Sequence, residues 1–415
     1  MVKLKRLKIN QYRNVRPGTE LHFDDGVNLV LGQNGSGKTT LLALISAVCR
    51  STFIELANEV FNLEFELLCP DHSVVAQADH RRRATENVSG LNTPSLWDDT
   101  YTVVIANRRT GRTETIVSGE PVGAQHRGRT PLMLDWSFIA ATLADMDAEL
   151  TSLRASLSVA ACAFRFDESL ECFAAATGRQ SMLRSPGTPP PALAAANETR
   201  DSSGGISITE GTYVPGDLSR ALSSSFGAKG RGPELDGAER PLAEQIAEIL
   251  DVASIAIVPN VRARQFTPHH RSYRVEGFTF DVTRRDGSTI HHDRLSYGQK
   301  RLLAFFYYLA QNESIVIADE LVNGLHHRWI EACMAAIGER QAFLTSQNPL
   351  LFEYVRFDSI AQVQTCFITC KTEIVDGAEQ LVWQNMPRPD AISFFESYKA
   401  DIESVGDILI TRGLW

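Results

Sequence analysis

Gly32-Gln33-Asn34-Gly35-Ser36-Gly37-Lys38-Thr39 is the stretch that decides the fold. It matches the pattern G-x-x-x-x-G-K-[ST] in full, after an apolar strand-like run, Gly26 to Leu31, and before an apolar stretch of helix formers, Thr39 to Cys49. Glycines let the backbone wrap closely around phosphate oxygens, so that N–H groups of the loop and of the following helix point at negative charge. The expected nucleotide-binding residues are Gly32, Asn34, Gly35, Ser36, Gly37, Lys38, Thr39 and Thr40. Lys38 is expected at the β- and γ-phosphates and the Thr39 hydroxyl on Mg2+.

A phosphate loop needs acids to work with. Ser314 to Ala318 reads as a buried, parallel-type strand ending in Asp319 and Glu320. Asp319 fits the role of a Mg2+ ligand through water, and Glu320 that of the group polarising the attacking water. Shortly before that strand, Leu295-Ser296-Tyr297-Gly298-Gln299-Lys300-Arg301 opens an apolar helix, Leu302 to Ala310.

In this order and spacing the three motifs resemble the head of an ABC-type ATPase of the SMC/RecF/OLD group, an AAA-family ATP-binding protein, rather than a transporter subunit. Gln11-Tyr12-Arg13-Asn14 resembles the aromatic-Arg-Asn segment of RecF- and OLD-like heads, which implies that Arg13 lies near the nucleotide. Asn323-Gly324-Leu325-His326 resembles the D-loop of OLD-like ATPases. The resemblance implies two ATPs held between two heads. Each loop would then face the other copy's signature and D-loop, here Ser296, Gly298, Gln299 and His326. ATP and Mg2+ are the implied cofactors, and a homodimer or higher homo-oligomer the implied assembly.

The expected fold is α/β: a P-loop ABC-type head with a mixed central sheet, an antiparallel side sheet and an inserted helical segment. Alternation at Phe61, Leu63, Phe65 and Leu67, a hairpin around Arg109-Thr110-Gly111, and the run Val275 to Val282 before an Asp286-Gly287 turn supply the antiparallel part. Ile139, Leu143, Met146, Leu150, Leu153 and Leu157 form a heptad seam. The Pro/Gly/Ser-rich stretch at about 185–236 reads as loop or linker, and Pro241 to Asp251 as an amphipathic helix. The expected division is an N-terminal half-head at 1–125, a helical insertion at 126–253, a C-terminal half-head at 254–360, and a strand/helix extension at 361–415. The resemblance itself covers roughly 1–120 and 255–355.

Composition narrows the partners. The 415 residues are 43% hydrophobic and 22% charged, the balance of a globular chain rather than a disordered one. No run approaches a membrane span, so no membrane is expected. Seven cysteines without paired C-x-x-C spacing suit a reducing cytoplasm, and Cys366 and Cys370 lack a neighbouring histidine for zinc. The net charge of −9 argues against coating nucleic acid by bulk electrostatics.

Two functional readings stand. The first is an ATP-driven switch or scaffold for a separately encoded effector, a nuclease, resembling ATPase subunits of anti-phage systems such as PARIS or Septu. The residues after Thr345 are too few for a nuclease domain, and Asp376, Glu379, Asp390 and Asp401 are too scattered for a metal cluster. The second is a RecF-like repair ATPase that contacts DNA through His80-Arg81-Arg82-Arg83 and Arg262 with Arg264. Gln77 is the candidate for the Q-loop glutamine.

One departure from the group concerns rate. Where the group carries Thr-x-His, this chain has Thr345-Ser346-Gln347-Asn348-Pro349. Gln347 hydrogen-bonds a phosphate or water but cannot carry the histidine's positive charge. Slow hydrolysis and a long-lived ATP-bound state are expected; a single-turnover rate as high as that of fast transporter ATPases would refute this.

Overall fold

A computed structural model of the chain describes residues 1–51, 53–82, 97–117, 153, 165–167, 205–208, 240–267, 270–400 and 402–413. In chain order the strands are β1 (Lys3–Tyr12), β2 (Thr19–His22), β3 (Val27–Leu31), β4 (Phe61–Leu68), β5 (His72–Arg82), β6 (Trp97–Asn107), β7 (Thr113–Val117), β8 (Arg165–Phe166), β9 (Gly205–Ile208), β10 (Ser254–Thr267), β11 (His270–Thr283), β12 (Thr289–His291), β13 (Ile315–Ala318), β14 (Gln341–Leu344), β15 (Phe367–Val375) and β16 (Ala378–Asn385). The helices are α1 (Lys38–Arg50), α2 (Arg240–Leu250), α3 (Tyr297–Gln311), α4 (His327–Ile337), α5 (Ile360–Cys366), α6 (Arg388–Ala400) and α7 (Val405–Thr411). Two compact units result: Met1–Arg165 with Glu313–Glu320 and Glu339–Trp415, and Phe166–Asn312 with Leu321–Gly338.

The first unit holds two sheets. Its antiparallel sheet runs β2-β1-β4-β5-β6-β7, and strict alternation along β4 turns Phe61, Leu63, Phe65 and Leu67 inward. Five strands of the central sheet lie in this unit in the order β16-β15-β3-β14-β13. Of these, β15, β3, β14 and β13 run parallel. Every residue of β13 and β14 is buried, as expected for parallel strands covered on both faces. One apolar cluster joins the inward faces of both sheets to Leu41, Leu42, Leu44, Ile45 and Val48 of α1. Each such side chain contributes roughly 1.5–3 kcal/mol on burial.

Polar side chains tie the two sheets together, Asn385 of β16 bonding the His22 backbone of β2 and Gln341 joining β14 to β1. Gln341, fully buried at the start of β14, accepts from the Leu4 N–H at 2.7 Å and donates to the Leu4 and Asp24 carbonyls at 2.8 and 2.7 Å.

The second unit is built on the β10–β11 ribbon; on its edge away from β10, β11 pairs with β12, antiparallel, at Asp281–Thr283 and with β9, parallel, at Ser272–Val275. Phe280 of β11 meets Tyr307 of α3 edge to face at 5.6 Å, and Phe166 meets Phe305 at 5.3 Å.

The sequence reading needs amendment in places. Residues Gly205–Ile208, inside the stretch read as linker, form β9. Four residues are too few to show a period, and the pairing comes from the edge of β11. The extension after 361 supplies β15 and β16 to the central sheet. The stretch expected as one C-terminal half-head is shared out, with its signature helix α3 in one unit and its acidic strand β13 in the other. Heptad positions Ile139, Leu143, Met146, Leu150 and Leu157 lie outside the described residues, while Leu153 is buried in the first unit's core. Cys366 and Cys370 are buried free thiols.

Replacing Gln341 by Leu keeps the volume but leaves the Leu4 and Asp24 backbone groups without these partners. Stability should fall by about 2–4 kcal/mol, read as a lower denaturation midpoint at unchanged m-value.

Candidate nucleotide site

Three neighbouring strand ends build the site. Because β3, β14 and β13 are parallel neighbours, the loop after β3, the Thr345–Gln347 segment after β14 and the Asp319–Glu320 pair after β13 emerge at one edge of the sheet. That edge is where open α/β sheets bind ligands.

The loop is shaped by close backbone approach. Gly32 has φ +146°, and a Cβ there would overlap the Cys370 carbonyl of β15 and the Ser36 Oγ. Gly37, with φ +86°, is the N-cap of α1, and a Cβ on it would press on Leu381 and on the Trp383 indole. Trp383 Nε1 in turn donates to the Ser36 carbonyl at 3.3 Å. The β15–β16 hairpin is thus the back wall of the phosphate loop.

The loop's own chemistry asks for an anion. Helix α1 starts with no side-chain cap and no acid in its first turn, which leaves its first N–H groups for a ligand. Lys38 Nζ donates to the carbonyls of Gly32 and Gln33 at 2.7 and 3.2 Å. The Ser36 Oγ is buried without a hydrogen-bond partner. A phosphate chain would meet the helix N–H groups, the ammonium and that hydroxyl together, so the residues fit ATP. Thr39 is exposed on the first turn of α1.

The acids are held tightly. Thr345 Oγ1 donates to Asp319 Oδ1 at 2.5 Å and accepts from the Glu320 N–H at 2.8 Å. The Gln347 N–H donates to Glu320 Oε2 at 2.9 Å, and its side-chain amide also reaches this carboxylate. Glu320 has φ +52°, a left-handed conformation costly for a residue with a side chain. Burial pushes its pKa up from 4.5 and the charge of Asp319 adds to this, while the Gln347 hydrogen bonds and Lys38 oppose it. The sequence-expected Lys38, Asp319, Glu320 and Gln347 are therefore brought together.

Arg13 is placed differently. At φ +44° its guanidinium forms a two-point ion pair with Glu59, both contacts at 2.5 Å. Its turn is linked to the loop's back wall, since the Leu381 N–H donates to the Asn14 carbonyl and Arg16 N–H donates to the Leu381 carbonyl, both at 2.8 Å. Gln77 does not sit in a loop: it is an exposed mid-strand residue of β5, opposite Glu64 and Thr102.

The signature belongs to the second unit. Ser296 caps α3 in a capping box: its Oγ accepts from the Gln299 N–H at 3.3 Å, and Gln299 Oε1 accepts from the Ser296 N–H at 3.0 Å. The Gln299 side chain is therefore used in shaping the turn, while the Ser296 hydroxyl hydrogen is left to donate. Gly298 lies against the Gly324 carbonyl and Trp329, where a Cβ would clash. His326 caps α4 by position and stacks on Trp329 at 4.1 Å. Arg301 is fully buried, donating to the Leu321 carbonyl at 3.0 Å and to the Tyr297 hydroxyl at 3.1 Å. Tyr297 itself is half exposed.

His291, His292 and Asp293 are close enough to hold a metal ion. However, His292 Nδ1 accepts from the Phe280 N–H and His291 Nδ1 from the Asp293 N–H, both at 3.2 Å. These bonds tie the hairpin end to the start of the signature, which suits a structural role.

Known proteins match in part. A family described as "AAA domain" matches residues 6–65. A second, "AAA domain, putative AbiEii toxin, Type IV TA system", matches residues 217–353. The DNA replication and repair protein RecF of Teredinibacter turnerae is 48% identical over 48 residues, 12% of this chain and 12% of that protein. RecF of Shewanella woodyi is 52% identical over 42 residues, 10% of this chain and 11% of that protein. The chain thus matches only about an eighth of the length of these relatives. Among solved structures, an SMC head bound to the C-winged helix domain of ScpA is 12% identical with a TM-score of 0.39, covering 93% of this chain and 98% of that one. The SMC head domain from Thermotoga maritima is 12% identical with a TM-score of 0.34, covering 93% and 99%.

Two stretches of the chain thus match AAA domains, and the motif order and strand order fit an ATP-binding head of that class. More narrowly, the local sequence identity is with RecF, over 48 and 42 residues.

Were Glu320 the group that takes a proton from water, it would have to be ionised. With its pKa raised, hydrolysis should fall on acidification along a limb centred above pH 4.5. A kcat–pH profile of the wild type checks this, and Glu320→Gln should be slow at every pH.

Proposed function

We propose that the chain is an ATP-driven switch whose two copies close around ATP and signal their closed state to a separately encoded effector, a nuclease, in anti-phage defence. The observation that carries the catalytic part is the joined set of Lys38, Asp319, Glu320 and Gln347 at one sheet edge. Lys38 and the N-terminus of α1 bind the phosphates. Thr39 and Asp319 would hold Mg2+, which when bound neutralises phosphate charge. Glu320 takes a proton from the attacking water, and Gln347 holds the Glu320 carboxylate in place. The exposed Ser296 and Tyr297, beside the buried Gly298, are offered to a second copy. The effector part draws support from the acidic balance of the chain and from the toxin-system description of the matched family.

A second reading, a RecF-like ATPase acting on DNA, is favoured by the local identity with RecF. Against it, Arg81 is paired with Asp79 and faces Asp98 across β6, which lowers its value as a phosphate contact. Among the described residues no helix is long and apolar enough to cross a membrane.

Glu320→Gln should accumulate an ATP-bound dimer, seen as a mass doubling in light scattering, whereas Lys38→Ala should bind no ATP and remain in the open state. A neighbouring nuclease should co-purify with Glu320→Gln and not with Lys38→Ala. Monomeric Glu320→Gln at saturating ATP would sink the switch. Salt-sensitive DNA binding abolished by neutralising Arg81 to Arg83 would favour the second reading.

A further inference from the structure

We infer that Thr345 is a positioning residue for hydrolysis, its hydroxyl setting the Asp319 carboxylate and the Glu320 backbone against each other. The inference rests on the ATPase assignment and adds to it a fully buried side chain bonded to both acids. Thr345 follows β14, between the strand ends that carry the phosphate loop and the acids. It is fully buried, and its single hydroxyl is used in both directions: the hydrogen goes to Asp319 Oδ1 at 2.5 Å, and a lone pair accepts the Glu320 N–H at 2.8 Å.

Those two bonds answer two separate problems. A carboxylate meant to meet a cation must present one rotamer, and a charge-assisted bond to a buried hydroxyl fixes it. Glu320 must hold φ +52°, which the chain does not adopt unaided. The bond from its own N–H to a side chain anchored on the next strand holds that peptide in place. Thr is stiff at χ1 because it is β-branched, so the hydroxyl is aimed before any ligand arrives. The methyl group alone could do neither job.

The full-length chain should be compared as wild type, Thr345→Val, Thr345→Ser and Thr345→Ala. Binding of a fluorescent ATP analogue would be titrated with Mg2+, and single-turnover hydrolysis and melting followed alongside. Thr345→Val removes the hydroxyl at nearly constant shape. It should raise the Mg2+ half-saturation of nucleotide binding and slow hydrolysis by about tenfold or more each, with Mg2+-free nucleotide affinity within about twofold of wild type. Thr345→Ser restores the hydroxyl and should stay within about threefold of wild type in both. A Thr345→Val protein with wild-type Mg2+ dependence and rate overturns the inference, as does Thr345→Ser impaired as deeply as Thr345→Val. Should Thr345→Val not fold, Ser and Ala decide: equal behaviour of the two refutes a hydroxyl role. Asp319→Asn and Glu320→Gln run beside them separate the levels. If these too leave Mg2+ dependence and turnover untouched, the ATPase assignment falls, whereas if only the Thr345 variants are silent, the positioning role alone falls.

Discussion

The parallel packing of β3, β14 and β13 is the constraint on which the rest depends. These strands come from residues 27–31, 341–344 and 315–318, and their pairing closes loops of nearly the whole chain. Parallel neighbours place equivalent ends on the same side, so three segments remote in sequence deliver a phosphate loop, a hydroxyl and two acids to one edge. Neither the loop nor the acids would have a partner without this pairing. The register is held by burial of all four residues in each of β13 and β14, which leaves no face to slip toward water.

The second requirement is space around the loop. A phosphate-binding backbone must approach its neighbours more closely than side chains allow, and Gly32 does so against the Cys370 carbonyl. The approach is useful only if the wall behind it is rigid. The β15–β16 hairpin meets this need with buried Leu381 and Trp383 on the loop side, while its far half, Lys371 to Glu379, is exposed. The same strand takes up the Asn14–Arg16 turn, so the loop's wall and the segment carrying Arg13 share one support.

The parts of the structure legible in sequence were those with a short period or a fixed local pattern. Alternation gave β4, the turn Asp286-Gly287 gave the β11–β12 hairpin, and the glycine pattern gave the loop and α1. The acidic pair was legible because an apolar strand ends on it. Thr345 and Trp383 were not. A threonine at a strand end is ordinary, and its role appears only when β14 lies beside β13. Trp383 reaches Ser36 across 347 residues, a contact no local pattern encodes. The ion pair of Arg13 with Glu59 was not legible either, because the two residues lie 46 positions apart. Gln77 failed as a loop residue because β5 continues through it in register with β4 and β6.

Glu320 stands at a peculiar point of this architecture. The chain leaves the first unit at Glu320 and enters the second at Leu321, so a single peptide bond separates Glu320 from the segment leading to Gly324 and His326. Both sides of that bond are pinned. Before it, the Glu320 N–H is held by Thr345 and its carboxylate by Gln347. After it, the Leu321 carbonyl is held by the buried guanidinium of Arg301, which also grips Tyr297 of the signature. A guanidinium taken from water costs several kcal/mol unless its donors are met, so Arg301 is retained where its fork serves two acceptors at once, which an ammonium could not match in geometry. The left-handed backbone at Glu320, costing roughly 1–2 kcal/mol, is therefore sustained by side chains on either side of it. The strained residue thus directly precedes, in sequence, the segment whose backbone Arg301 holds.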